Sequence, residues 1–187
     1  MIFKKLFGQR QQDIAAQEIY QEIVRQARMP VFYLEADVPD TVDGRYEMIS
    51  LHAFLVMRRL KKEDGEKLLS LSQAVFDLMF SDMDQSLREI GVGDLGVGKR
   101  VKAMAKVFYG RVVAYEMALD GQEETLEAAL ERNHYGTLEE PASPHSIARL
   151  ADYVRENDLY LSSQETADLM LGKVQFREFA TSTASRG

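Results

Sequence analysis

The sequence predicts an all-α fold: a single-domain, irregular helical bundle with a Gly-rich loop between two of its helices. Three observations carry that expectation. Apolar residues recur at helical spacing along most of the chain. Only one short run, Val31–Leu34 ("VFYL"), has the composition of a strand. Prolines number four in 187 residues, and the turn-forming residues gather in a few connectors.

The totals agree. A chain of 187 residues with 45% apolar and 28% charged side chains can bury one core and stay folded. It has no cysteine, which excludes disulfides, thiolate catalysis and sulfur-ligated zinc, and suits a reducing compartment. A net charge of −7 argues against broad nucleic-acid binding, and no sequence-specific nucleic-acid partner is expected. The uncharged runs Met48–Met57 and Leu68–Phe76 fall far short of the ~20 residues of a membrane span. A cytoplasmic protein, with peripheral contact at the inner membrane, is the expectation.

Residues 1–12 form a basic amphipathic segment. Phe3, Leu6 and Phe7 alternate with Lys4, Lys5 and Arg10, and no acid precedes Asp13; residues 1–10 suit either an ordinary frayed terminus or a transient contact with an anionic membrane. The helical domain is expected over 13–178. Ala16, Ile19, Tyr20, Ile23 and Ala27 mark its first helix, and a connector follows over 29–44 in which "VFYL" reads as an extended segment laid on the core. Tyr46–Leu60 carries so wide an apolar stripe that it should be the central helix, followed by the polar turn "KKEDG" and a helix at Leu68–Phe80. A third long helix is expected at Val101–Leu119 and an acidic one around Glu123, Glu124, Glu127 and Glu131. Ser143 and Pro144 read as N-cap and first residue of a helix over Ile147–Val154. Ser162 and Glu165 read as a capping box for a last short helix ending near Gly172, with a flexible tail over 179–187.

The stretch Ile90–Met104, "IGVGDLGVGKRVKAM", matches two nucleotide-binding patterns at once. Gly91, Gly93 and Gly96 spell G-x-G-x-x-G, and Gly93, Gly98 and Lys99 spell most of a phosphate loop. The first pattern needs a strand before it, but "SDMDQSLREI" reads as a helix end; the second needs Ser or Thr where Arg100 stands. A phosphate- or nucleotide-binding enzyme using the loop 91–99 is therefore the alternative rather than the leading reading. The plainer one makes Gly91 the helix C′ residue and has Gly98 precede the next helix. Four glycines in eight residues exceed what a cap requires, and suggest close approach to another helix or to a partner.

Lys99, Arg100, Lys102, Lys106 and Arg111 follow, with no acid before Glu116. On a helix, Val101, Met104, Phe108, Val112, Tyr115 and Leu119 form the apolar stripe, and Lys99, Lys102 and Lys106 lie opposite. Cations near a helix N-terminus oppose its dipole, so the cluster calls for pairing with Asp82, Asp84 or Glu89, or for a binding role toward phosphate, acidic protein or lipid headgroups.

As a unit, "FDLMFSDMDQSLREIGVGDLGVGKRVKAMAKVFYGRVVAYEMAL", with "VPDTVDGRYEMISLHAFLVMRRL" before it, resembles the ubiquinol–cytochrome c chaperone family over roughly Pro30–Leu119, fading beyond. The resemblance implies a non-enzymatic helical chaperone without cofactor, which holds newly made cytochrome b before and during haem acquisition and promotes assembly of the respiratory bc1 complex. Mitochondrial members work with a small partner protein near the ribosome; the lack of a long presequence here implies a bacterial-type member. The signature carries onto Asp82, Asp84, Arg88, Gly91, Gly93, Asp94, Gly96, Gly98, Lys99, Arg100, Tyr109, Gly110 and Arg111, with Lys106 added from the basic edge. Gly110, inside a helix, costs up to about 1 kcal/mol against alanine and suggests a second helix crossing at Tyr109–Arg111.

Remaining candidates are weak. Asp82 and Asp84, two apart on a helix, do not face one another as metal ligands and should pair with Arg88 or the lysines. His52 reads as a hydrogen-bonded core histidine, His134 and His145 lack zinc spacing, and no Ser–His–Asp set can be nominated. Met48, Met57, Met79, Met83, Met104 and Met117 read first as core, and second as adaptable contacts for a client.

Overall fold

In the computed structural model the described residues are 2–180 without 64, 123, 137 and 139, and for residues 2–9 the backbone alone. They form eight helices: α1 Ile2–Ala27, α2 Pro30–Glu35, α3 Val42–Lys61, α4 Glu66–Glu89, α5 Asp94–Leu119, α6 Leu126–Asn133, α7 Pro144–Ser162 and α8 Thr166–Leu169. No strand occurs among the described residues, and the all-α expectation is met. No described helix is long and apolar enough to cross a membrane.

α3 is the axis of the bundle. Leu51, Phe54, Leu55, Val56 and Leu60 are all buried, and α1, α4, α5 and α7 pack around it. Its start is fixed by Thr41, whose Oγ1 accepts from the Gly44 amide, and its last turn carries Arg58, Arg59 and Lys61, which complement the dipole. Arg59, buried, ends α3 against the α7–α8 turn by donating to the Leu161 and Gln164 carbonyls. α1 runs parallel to α4: Gln12 donates to Ser70 near one end and Tyr20 to Asp82 near the other. The side chains of the basic segment 1–9 lie outside the described residues, although the helical backbone begins at Ile2.

The structure corrects four local expectations. "VFYL" is not extended: Pro30 sets the first helical φ, Ala36 N donates to the Phe32 carbonyl, and the segment becomes α2 with Phe32 buried. Among the described residues no neighbouring strand exists to pair it, and its backbone is satisfied locally. α5 begins at Asp94, seven residues before Val101, and therefore contains Gly96 and Gly98. Val97, fully buried, and the hydrogen bonds from Gly96 N and Val97 N to the Gly93 carbonyl hold that glycine-bearing turn helical. The Ser162–Glu165 capping box does not form: α7 continues to Ser162, whose hydroxyl donates back to the Asp158 carbonyl, and Glu165 caps α8 without a side-chain bond. Ser143 and Pro144 do open α7 as expected. Finally, nothing crosses at Gly110, which is exposed with no atom within 4 Å of where a Cβ would stand.

Beyond α8 the chain runs extended back over the core. Gly172, at φ +83°, passes 2.8 Å from the Glu18 Cβ by the position its own Cβ would take. Phe176 then meets the His52 ring, and Phe179 is buried against Phe32 and Tyr153. The last residues of the expected tail, 181–187, lie outside the described residues.

Candidate functional site

Between the first half of α3, the end of α4 and the middle of α5 lies an open groove of about 780 Å³. Its walls are apolar: Val42, Tyr46 and Ile49 from α3, Met83 and Leu87 from α4 with its C-cap Ile90, and Ala103, Met104 and Val107 from α5. The α5 wall is made of small or flexible side chains, which let another helix approach closely. Tyr46 fixes the two walls together by donating to the Met104 carbonyl at 3.0 Å, and burial raises its phenol to about 12.

The rim and floor carry four arginines and a smaller number of acids, among them the exposed Asp43. Arg28 and Arg100 face the groove from α1's end and from α5, and among the described residues neither enters an ion pair. Arg45, also lining it, is held by Asp40 at 2.7 Å. At the floor Glu47 of α3 meets Arg111 of α5 at 2.5 Å. Burial outweighs the guanidinium and lifts the Glu47 carboxyl to about 7. Among the described residues, buried Glu47 Oε2 and Arg111 Nη1 find no hydrogen-bond partner, and neither do the Tyr115 hydroxyl and both His134 ring nitrogens. Arg111 also donates to the Asn133 carbonyl, so the floor ties α3 through α5 to α6.

The helix splits the basic cluster that the sequence presents as one patch. Positions 100, 103, 104, 107 and 111 turn toward the groove, whereas 95, 99, 102, 106, 109 and 113 repeat at helical spacing on a second, outward face. Arg100 and Arg111 thus belong to the groove, and Lys99, Lys102 and Lys106 are exposed elsewhere.

A family model of the ubiquinol–cytochrome C chaperones matches residues 34–176, which include all three walls and the floor of the groove. The chain belongs to the ubiquinol–cytochrome C chaperone family. The match extends well past Leu119, through α6 and α7, where the sequence resemblance had faded. The chaperone-family chain is 28% identical over 165 residues to ubiquinol–cytochrome c reductase complex assembly factor 1 of Mus musculus, covering 88% of this chain and 55% of the relative. The Homo sapiens protein of the same name is 28% identical over 165 residues, covering 88% and 54%. The chain therefore spans little more than half the length of these relatives. Its backbone superposes on the crystal structure of the Cbp3 homolog from Brucella abortus with a TM-score of 0.80 at 40% identity, covering 96% of this chain and 98% of that one. These relatives are named as assembly factors and chaperones, not for a reaction.

The structure sorts the signature residues of this chaperone-family chain into three places. Asp82, Arg100 and Arg111 line the groove. Asp84, Arg88 and Asp94 form an exposed ion-paired corner where α4 meets α5, with Arg88 bridging both carboxylates. Lys99, Lys106, Tyr109 and Gly110 lie on the outward side of α5, Tyr109 half exposed with its ring 5.4 Å from Phe76. Asp82 reaches no lysine; it accepts from Tyr20 at 2.7 Å, because α1 packs where the lysines were expected to fold back. Of the four clustered glycines only Gly91 has positive φ, as a C′ residue, and Gly93 and Gly98 stand in open space rather than against a helix. Helix α4 before them and Lys99 turned outward do not build a phosphate cradle.

Residues that sequence reasoning missed are Glu47, Tyr46, Arg28 and Val107. The lone acid in the apolar-rich helix 46–60 was the available signal for Glu47, since buried carboxylates are seldom left unpaired. His52 is a core histidine as read: Nδ1 lies 2.7 Å from the Met48 carbonyl and Nε2 2.7 Å from the Tyr153 hydroxyl, so Nδ1 carries the proton. Met48, Met57 and Met79 are core, whereas Met83 and Met104 also line the groove. Among the described residues no three His, Asp or Glu side chains gather as metal ligands.

Proposed function

We propose that this chain is an assembly chaperone that holds newly made cytochrome b during formation of the bc1 complex, and that the α3–α4–α5 groove takes an apolar helical segment of that client. The observation that carries the reading is the combination of an apolar, roomy groove with two rim arginines, Arg28 and Arg100, that enter no ion pair among the described residues. A membrane-spanning helix waiting for its partners offers an apolar surface for the walls. Its C-terminal carbonyls, and the acidic side chains of its flanks, suit Arg28 and Arg100. The relatives' names support the complex, and the client follows from the resemblance stated above. Asp82, Arg100 and Arg111 are the signature residues assigned to client binding. Contacts with a ribosome, with a small partner protein, and of residues 1–10 with the inner membrane belong to the same proposal without a surface on the described residues.

The test is a strain lacking the protein, scored by reduced-minus-oxidised spectra of its membranes for the b-type haem of the bc1 complex. The signal should fall, return with wild type, and fail to return with Val107→Asp or Arg100→Glu variants that fold normally. A signal that never falls removes cytochrome b as the client. Recovery with both variants removes the groove.

A further inference from the structure

The outward face of α5 is built differently from the groove, and we infer that it rests on the surface of an anionic lipid bilayer. Leu95, Lys99, Lys102, Lys106, Tyr109 and Val113 succeed one another at i, i+4, i+7, i+11, i+14 and i+18, so they share one side of the helix over roughly 27 Å. The three lysines are exposed and, among the described residues, enter no ion pair or hydrogen bond. Apolar side chains stand at both ends of the row: Leu95 is 96% exposed, Tyr109 53% and Val113 55%.

No acid occurs on α5 between Asp94 and Glu116. Of the α4 carboxylates, Asp84 is ion-paired to Arg88, while Asp77 and Glu89 accept from the neutral amides of Gln73 and Gln85. Gly110, beside the row, has nothing within 4 Å of its Cβ position, so no side chain stands proud of the surface there. The result is an exposed cationic strip with apolar ends.

The type of cation decides between a bilayer and an acidic protein. Arginine is enriched at protein interfaces and lysine depleted, and on this helix the arginines face the groove while the lysines face outward. Lysine is the side chain that lays its methylene stem on apolar surface and keeps its ammonium among phosphates. Tyrosine suits the same boundary.

Flotation of the full chain with phosphatidylcholine vesicles, with or without phosphatidylglycerol, tests this. It is independent of the client reading, because the vesicles contain no protein. Binding should require phosphatidylglycerol and weaken as salt rises. Lys102→Glu/Lys106→Glu should lower the bound fraction at least about tenfold and Leu95→Ser by less, while the charge-matched Lys61→Glu/Lys67→Glu leaves it unchanged. Circular dichroism identical to wild type secures the comparison. The proposal is overturned if wild type ignores phosphatidylglycerol, if the α5 double variant floats like wild type, or if Lys4→Glu/Lys5→Glu alone abolishes flotation. Loss of cytochrome b capture in detergent by Lys102→Glu/Lys106→Glu, with flotation intact, makes the strip a protein-docking face and overturns it equally.

Discussion

Glu47 of α3 and Arg111 of α5 meet at 2.5 Å beneath the groove, with only 6% and 13% of their side chains exposed. The pair joins two of the three walls at the level where an occupant would end. A buried ion pair adds little net stability, but removing one partner strands the other. At pH 8, where Glu47 is ionised, Arg111→Met should cost about 3–5 kcal/mol in urea denaturation, and Glu47→Gln/Arg111→Met should recover a large part of it. A single variant within about 1 kcal/mol of wild type would show that the pair does not hold the walls together.

The same carboxyl shapes the pH dependence of stability. Burial raises Glu47 from its ordinary 4.5 to about 7, so the native state binds the proton more tightly than the unfolded chain, and this group's contribution is lost as pH rises through about 7. His52 moves the other way, held neutral by burial down to about 4, and His134 down to about 3. Their contribution is present above about 6.5 and is lost as pH falls toward those values. Between pH 5 and 6 two histidines are opposed by one carboxyl. Glu47→Gln removes the opposing slope, and stability should then fall about twice as steeply on acidification across that interval. Parallel wild-type and variant curves would mean that Glu47 titrates as an ordinary surface carboxyl.

The contrast between helix position and helix face explains what the sequence revealed. The stripes at 46–60 and 101–119 follow from spacing alone, because burying a wide apolar face is the dominant favourable term whatever the neighbours are. The onset of α5 was hidden because Gly96 and Gly98 oppose helix locally, while the buried Val97 that overrides them acts through tertiary packing. α2 was hidden for a related reason: "VFYL" has strand composition, and only the absence of a pairing strand turns it helical. At the site, the residue types were legible but not their division. Lys99 and Arg100 are adjacent in sequence yet point about 100° apart on a helix, and the groove exists only once α3 and α4 supply the opposite walls. Glu47 and Arg111 lie 64 positions apart, beyond the reach of any local pattern.

Glycines separate by the space around them. Gly110 has open space and ordinary helical geometry, so Gly110→Ala should stabilise the protein by up to about 1 kcal/mol. Gly172 has φ +83° and would set its Cβ 2.8 Å from that of Glu18 and 3.1 Å from the Ala15 backbone. Gly172→Ala should therefore destabilise by roughly 2–4 kcal/mol, combining left-handed strain with a displaced C-terminal segment. Thermal melts of the two variants should move in opposite directions. A stabilised Gly172→Ala protein would show that the segment does not lie against α1.

The two faces of α5 lead to one decisive comparison. Arg100 and Lys106 carry the same charge on the same helix, both exposed and both free of ion pairs among the described residues, yet only Arg100 lines the groove. If the groove holds the client, Arg100→Glu should reduce capture of newly synthesised cytochrome b in detergent by about tenfold or more, since it replaces an attractive rim charge with a repulsive one next to a desolvated contact. Lys106→Glu should leave that capture within about twofold, because the altered charge lies on the other side of the helix and is screened by salt. Equal loss from both variants would mean that capture depends on the total charge of α5 rather than on the groove. Loss from Lys106→Glu alone would move the client to the outward face, and with it would fall both the groove as the binding site and the bilayer as the partner of the lysines.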